Sequence, residues 1–334
     1  MRNMWKARWF VLALASGLVV GAVQAQTLSM QEDFAADPAA RGWLVHGHTN
    51  LFYWNPTNQN LEVTWDSSLS NSYFCHPLGA TLTMEDDFSV AFDLELHEAA
   101  IGGYGFELAL GLLNLADATQ PGFLRGTGAD SPNLVEFDYF PDPEGELWWG
   151  ASVTTMMVDW VGTDSSHWSL GGFAGMELAA HNLYHVELVY AADTRTLRTT
   201  ITNLTLGGIA VGPVPEAYLP PTFLGFRVDH IAIASYSDAN SWGSLWARGT
   251  VDNLGVAGTA RAIGRVQGGW GAGGVWQARF FSRADWRYTL ERTTDFQSWT
   301  PVSATRQGVE GDLVLQDAEP PAAAAFYRVR AEQP

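Results

Sequence analysis

The sequence predicts an all-β protein: two antiparallel sheets packed face to face, then a small C-terminal β module. Period-2 alternation of apolar residues recurs along the chain, and helical periodicity is scarce. Polar turns separate the alternating runs. Composition changes near residue 258, where Gly268-Gly269-Trp270-Gly271-Ala272-Gly273-Gly274 reads as a linker.

The first 25 residues read as a secretory signal. Arg2, Lys6 and Arg8 start it, Phe10-Val11-Leu12-Ala13-Leu14-Ala15 opens its apolar stretch, and Val23-Gln24-Ala25 supplies small residues for cleavage before Gln26. The expectation is an exported chain, secreted or held at the cell envelope. No second apolar run approaches membrane-spanning length. Loss of the signal takes the formal net charge from −18 to −21 and removes Lys6, the only lysine. So acidic a surface argues against nucleic acid and anionic lipid as partners. With one cysteine, Cys75, no intramolecular disulfide can form, and its apolar flanks predict a buried, inert thiol.

Phe88, Val90, Phe92, Leu94 and Leu96 alternate with Ser89, Ala91, Asp93 and Glu95. Phe106, Leu108, Leu110 and Leu112 repeat the pattern. Tyr184, Val186, Leu188 and Tyr190, then Leu197, Thr199 and Ile201, flank 191–196 as a hairpin. Further strands are expected at 223–228, 231–236 and 250–256. The domain reading is a signal at 1–25, a sandwich at 26–258, a glycine-rich linker at 259–274 and a module at 275–334. That module should hold strands at 275–281, 287–291, 312–316 and 326–330.

The segment Leu134-Val135-Glu136-Phe137-Asp138-Tyr139-Phe140, followed by Pro141-Asp142-Pro143-Glu144-Gly145, is the most informative. Alternation places Val135, Phe137 and Tyr139 on one face and Glu136, Asp138 and Phe140 on the other. Two carboxylates this close repel, so a cation, an arginine, hydrogen bonds or a shared proton must offset them.

Aromatic residues form the second cluster, with thirteen tryptophans beyond the signal. Phe52-Tyr53-Trp54 before Asn55-Pro56, and Trp148-Trp149, are the candidate sugar platforms, so Tyr53, Trp54, Asn55 and Trp149 are the expected carbohydrate contacts. Strand neighbours point to opposite faces, so at most one of Trp148 and Trp149 should line a given surface. Trp43, Trp65 and Trp299 are expected in the core, while Trp54, Trp149, Trp242 and Trp246 fit either core or platform. His46-Gly47-His48 places two imidazoles on one strand face without a third zinc ligand.

Residues 27–258 resemble the concanavalin A-like lectin/glucanase superfamily, which implies a jelly-roll sandwich. Val135-Glu136-Phe137-Asp138-Tyr139 is similar to the metal-loop strand of legume-type lectins. Leu183 to Tyr190 with Leu197 is similar to the strand hairpin of laminin-G-like domains, and Gly249 to Leu254 to the closing strand of such sandwiches. The resemblance implies a single calcium held by Glu136, Asp138, the Phe140 carbonyl and Asp142. A later Asp and His at the lectin spacing are missing, which argues against two metals. The alternative is a pair of carboxylates that is solvated or matched by arginine. In the glucanase branch the motif is Glu-x-Asp-x-(x)-Glu. Glu136 and Asp138 fit its first two places, but Phe140 and Pro141 stand where the acid/base glutamate belongs, so no catalytic residue is assigned. The tail, from Tyr288 to Trp299 and ending in Phe326-Tyr327-Arg328-Val329, resembles modules that close exported verrucomicrobial and planctomycete proteins. That implies attachment or structure rather than chemistry.

The expected function is non-catalytic, lectin-like binding of a polysaccharide or glycan, assisted by calcium. A structural or adhesive surface protein without a sugar site is the first alternative, and a polysaccharide hydrolase or lyase the second.

Overall fold

The computed structural model describes residues 17–18, 25–102, 105–123, 131–162, 165–238, 243–321 and 324–333. The expected signal, apart from Gly17, Leu18 and Ala25, and Trp242 lie outside these residues. The chain divides into two compact units, Gln26–Ala260 and a second built mainly from Arg261–Pro334.

The larger unit is the expected all-β antiparallel jelly-roll sandwich. Among the described residues one sheet has eight strands. Its main path runs Trp168–Leu170, Ser152–Val158, Leu134–Phe140, Leu108–Leu113, Arg227–Ser235, Ser72–Thr83, Leu44–His46, and Ala174–Gly175 joins Ser152–Val158. The other has nine, with Thr196–Asn203, Leu183–Ala191, Asp87–Ile101, Leu245–Arg261 and Asn60–Asp66 as successive central members and Phe52–Asn55 at one end. The hairpin predicted at 191–196 forms, with Ala191 opposite Thr196. The two strands expected at 223–228 and 231–236 are one strand, Arg227–Ser235, bulged between Val228 and His230. The long strand Leu245–Arg261 absorbs a bulge between Asp252 and Gly255, where Asn253 takes a positive φ of 48°.

Apolar alternation carries the inner faces together. Phe92 of one sheet meets Phe137 of the other edge-on at 5.6 Å, and both are fully buried. Tyr190 and Phe88 likewise meet Phe226. Trp43 and Trp65 are core residues as expected, Trp43 stacked on Phe74 at 4.7 Å. Cys75 is buried, and burial, with Asp229 adding its charge, pushes its thiol up to about 12.

Leu108–Leu113, Leu134–Phe140 and Ser152–Val158 are buried on nearly every residue. Both faces of this part of the sheet are covered, so the carboxylate face is not an open solvated surface.

The C-terminal unit has its own core, in which Trp276 stacks on Tyr327 at 3.8 Å and Phe280 packs on Tyr288 at 5.1 Å. Of the glycine-rich segment expected as a linker at 259–274, residues 259–260 belong to the larger unit and 261–274 to this one, where Gln267–Trp270 pairs with Trp276–Ser282 through a glycine turn. Trp299 is a second correction, because it is half-buried under the Arg328 guanidinium, 4.2 Å from its ring, rather than in the core.

Candidate functional site

Ladder register assembles one face of the eight-stranded sheet. Glu136, Asp138 and Phe140 lie directly opposite Met156, Thr154 and Ser152, and hence on the same side. On the other flank Glu136 faces Gly111 and Asp138 faces Ala109, which neighbour Ala232 and Ala234 in turn. Small residues here leave room for the acids. A Cβ on Gly111 would sit 2.3 Å from the Val135 carbonyl oxygen and 2.5 Å from Glu136 Cα.

Glu136 and Asp138 share a face, as alternation required, and both are buried, at 2% and 1% exposure. The Glu136 Oε2 accepts a hydrogen bond of 2.8 Å from the Tyr236 hydroxyl. Tyr236 in turn packs edge-on against Tyr73. A glycosidic oxygen has no access to carboxylates held this deep, and Phe140 occupies the acid/base place of the glucanase pattern.

Asp142 serves the following loop. Its Oδ1 accepts the N–H groups of Glu146 at 2.8 Å and Leu147 at 3.2 Å, and its Oδ2 accepts Leu147 again at 3.2 Å. Both oxygens are committed to closing the 142–147 turn. Among the described residues no group of three or more His, Cys, Asp or Glu side chains is arranged to hold a metal ion. Asp142 is thus engaged by the loop it closes, and Glu136 by the Tyr236 hydroxyl.

The loop carries Trp148 and Trp149 in a turn, not a strand, so strand alternation does not apply. Both line a cleft of about 500 Å³, which corrects the expectation of at most one. The two indoles meet edge-to-face at 5.2 Å and 89°. Across from them Phe140 and Phe173 form a second perpendicular pair, at 5.6 Å and 64°. Trp148 is 90% exposed and Phe173 60%. Ser152 also lines the cleft; it is buried, and its Oγ has no hydrogen-bond partner. An unpaired buried hydroxyl is costly unless something else satisfies it.

Hydrogen bonds fix the cleft walls. Glu177 Oε1 accepts from the Tyr139 hydroxyl at 3.0 Å and Oε2 from the Asp142 N–H at 3.3 Å. The Tyr139 oxygen accepts the Leu178 N–H at 3.0 Å, and Met176 N–H donates to the Ala151 carbonyl at 3.0 Å. Desolvation holds the Glu177 pKa above the usual carboxylate range, and the Tyr139 phenol is raised by burial and by the Glu177 charge.

The other predicted contacts lie elsewhere. Tyr53, Trp54 and Asn55 belong to Phe52–Asn55 in the nine-stranded sheet and do not line this cleft. Trp54 donates its Nε1–H to the Phe34 carbonyl at 2.8 Å, and Asn55 Nδ2 donates to Glu62 at 2.6 Å, so both serve the local fold. Tyr53 is exposed. The paired histidines separate in role: His46 lines a second cleft of about 380 Å³ with Asn71 and Phe123, while His48 bonds Ser70 at 3.1 Å. Sequence reasoning missed Phe173, Ser152, Gly105 and Gly175. Only Ser152, twelve residues beyond Phe140, carried a signal, as the first residue of the strand after the carboxylate loop.

No protein-family model matches this chain, and no curated protein sequence matches it. Similar solved structures include the winged bean acidic lectin complexed with methyl-α-D-galactose, at 11% identity and TM-score 0.46, covering 71% of this chain and 99% of that one. The Lotus tetragonolobus seed lectin is similar at 11% identity and TM-score 0.49, covering 70% and 99%. Lectin II from Ulex europaeus follows at 12% identity and TM-score 0.46, covering 70% and 98%.

Proposed function

We propose that this is an exported, non-catalytic carbohydrate-binding protein whose site is the aromatic cleft at Phe140, Trp148, Trp149 and Phe173. The observation that carries this is the cleft itself. Four rings wall about 500 Å³, and Ser152, with its unpaired buried hydroxyl, lines it with them. Sites for small organic ligands combine aromatic walls with a few convergent polar groups in this way. A sugar offers apolar C–H faces to the rings and hydroxyls to Ser152. A purely structural surface protein gives no reason for leaving Trp148 and Phe173 exposed around a concavity. The burial of Glu136 and Asp138 counts against the hydrolase alternative.

The test is binding of the protein to a panel of polysaccharides and oligosaccharides, with calcium and with chelator, alongside Trp149→Ala and Phe173→Ala. Binding that weakens at least tenfold in either variant is expected, with no release of reducing sugar. Calcium dependence lost in Glu136→Gln/Asp138→Asn would assign these carboxylates as metal ligands. Binding untouched by both substitutions would move the site, and no binding to any glycan would end the proposal.

A further inference from the structure

We propose that the cleft selects a glycan bearing free amino groups, the chemistry of a deacetylated amino sugar, over neutral or acidic glycans. This rests on the glycan-binding role of the same cleft and adds what the occupant must carry.

Ring geometry is the first ground. A flat platform of coplanar rings suits the broad face of a neutral pyranose. Here the rings come as two perpendicular pairs, Trp148 with Trp149 at 89° and Phe140 with Phe173 at 64°. Perpendicular pairs make corners, and a corner presents two π faces to one compact cation.

Charge is the second ground. No lysine or arginine stands between Arg125 and Arg195, the stretch that supplies all four rings. The tryptophan loop carries Asp142, Glu144 and Glu146, Glu177 braces it, and Glu107 follows close on the cleft residue Gly105. A stretch with this excess of acids over bases favours approach of an ammonium and disfavours a uronate or a sulfate.

The polar complement is the third ground. An ammonium has three donors and no acceptor. Ser152 lines the cleft, and its buried Oγ has no partner within the protein, which leaves its lone pairs for a donor that reaches it.

The experiment is calorimetric titration of the full chain with three hexasaccharides at about pH 6: fully deacetylated chitohexaose, its N-acetylated counterpart and cellohexaose. The amine form is expected to bind roughly tenfold tighter, the factor one desolvated cation–π contact supplies. That advantage should shrink as salt rises, and it should vanish in Phe173→Ala and Trp149→Ala. Should either truncation fail to fold, Gly175→Leu gives an independent check, because nothing lies within 4 Å of a Cβ there and a leucine would fill the cleft. Equal or tighter binding of cellohexaose would overturn the amine selectivity and leave the glycan role standing. An amine preference that survives in all three variants would also overturn it, as diffuse attraction to an acidic chain. If none of the three oligosaccharides binds, this inference falls, while the glycan role stands or falls on the broader panel.

Discussion

Gly105 and Leu147 interlock. Gly105 holds a φ of +71°, and a Cβ there would fall 2.8 Å from Leu147 Cδ1 and 2.9 Å from Cδ2. Leu147 is buried and immediately precedes the Trp148-Trp149 turn. The absence of one side chain thus sets where the tryptophan loop rests.

Gly105→Ala should therefore act twice. The left-handed backbone costs about 1–2 kcal/mol for a residue with a Cβ, and displacement of Leu147 carries the loop with it. A lowered melting temperature and a roughly tenfold loss of glycan affinity are expected. Unchanged affinity in calorimetry would show that the loop position does not depend on this contact.

Phe137→Ala removes the ring that meets Phe92 between the sheets. A loss of about 3–5 kcal/mol is expected, as for other buried phenylalanines. Urea unfolding measures it, and a loss below about 1 kcal/mol would mean that the two sheets are not held at this contact.

Glu177 links pH to stability. An acid whose folded pKa is raised keeps its proton longer in the folded state. Stability then falls as pH climbs from the ordinary carboxylate value through the raised one, and Glu177 contributes no slope outside that window. Glu177→Gln retains a side-chain oxygen for Tyr139 and does not ionise. Relative to the variant, the parent protein should lose melting temperature as pH rises above the ordinary carboxylate range. Parallel curves there would refute the assignment.

Cys75 should be silent. With its thiol pushed up to about 12 by burial and the Asp229 charge, almost no thiolate exists near neutrality. A disulfide reagent at about pH 8 should label it only after denaturation. Rapid labelling of the native protein would show local opening around Ser72–Thr83.

Much of the fold was legible because one rule governs it. Strands with one buried face alternate, and Phe88 to Leu96 and Tyr184 to Tyr190 show it plainly. The Leu134–Phe140 strand, its boundaries and the shared face of Glu136 and Asp138 follow from the same rule. Its limits are equally physical. Glycines 268–274 resemble a flexible linker because composition does not reveal that Gln267–Trp270 has a strand to pair with. Trp148 and Trp149 read as strand neighbours until the Asp142 carboxylate is seen closing the turn before them. The cleft joins residues from around positions 105, 140, 149, 152 and 173, and such a meeting is set by sheet order rather than local pattern. The lectin resemblance implies a role for the Phe140 backbone carbonyl, whereas the structure places Phe140 in the cleft wall.

Sheet order gives the cleft wall a further consequence. All seven residues of Ser152–Val158 are buried, and among the described residues its outer edge pairs with two short strands, Trp168–Leu170 and Ala174–Gly175, with Phe173 between them. The segment presenting Phe173 is thus also the cap on an apolar edge that would otherwise template another chain. Substitutions that loosen this wall should show first as self-association on gentle warming, before the sandwich itself melts.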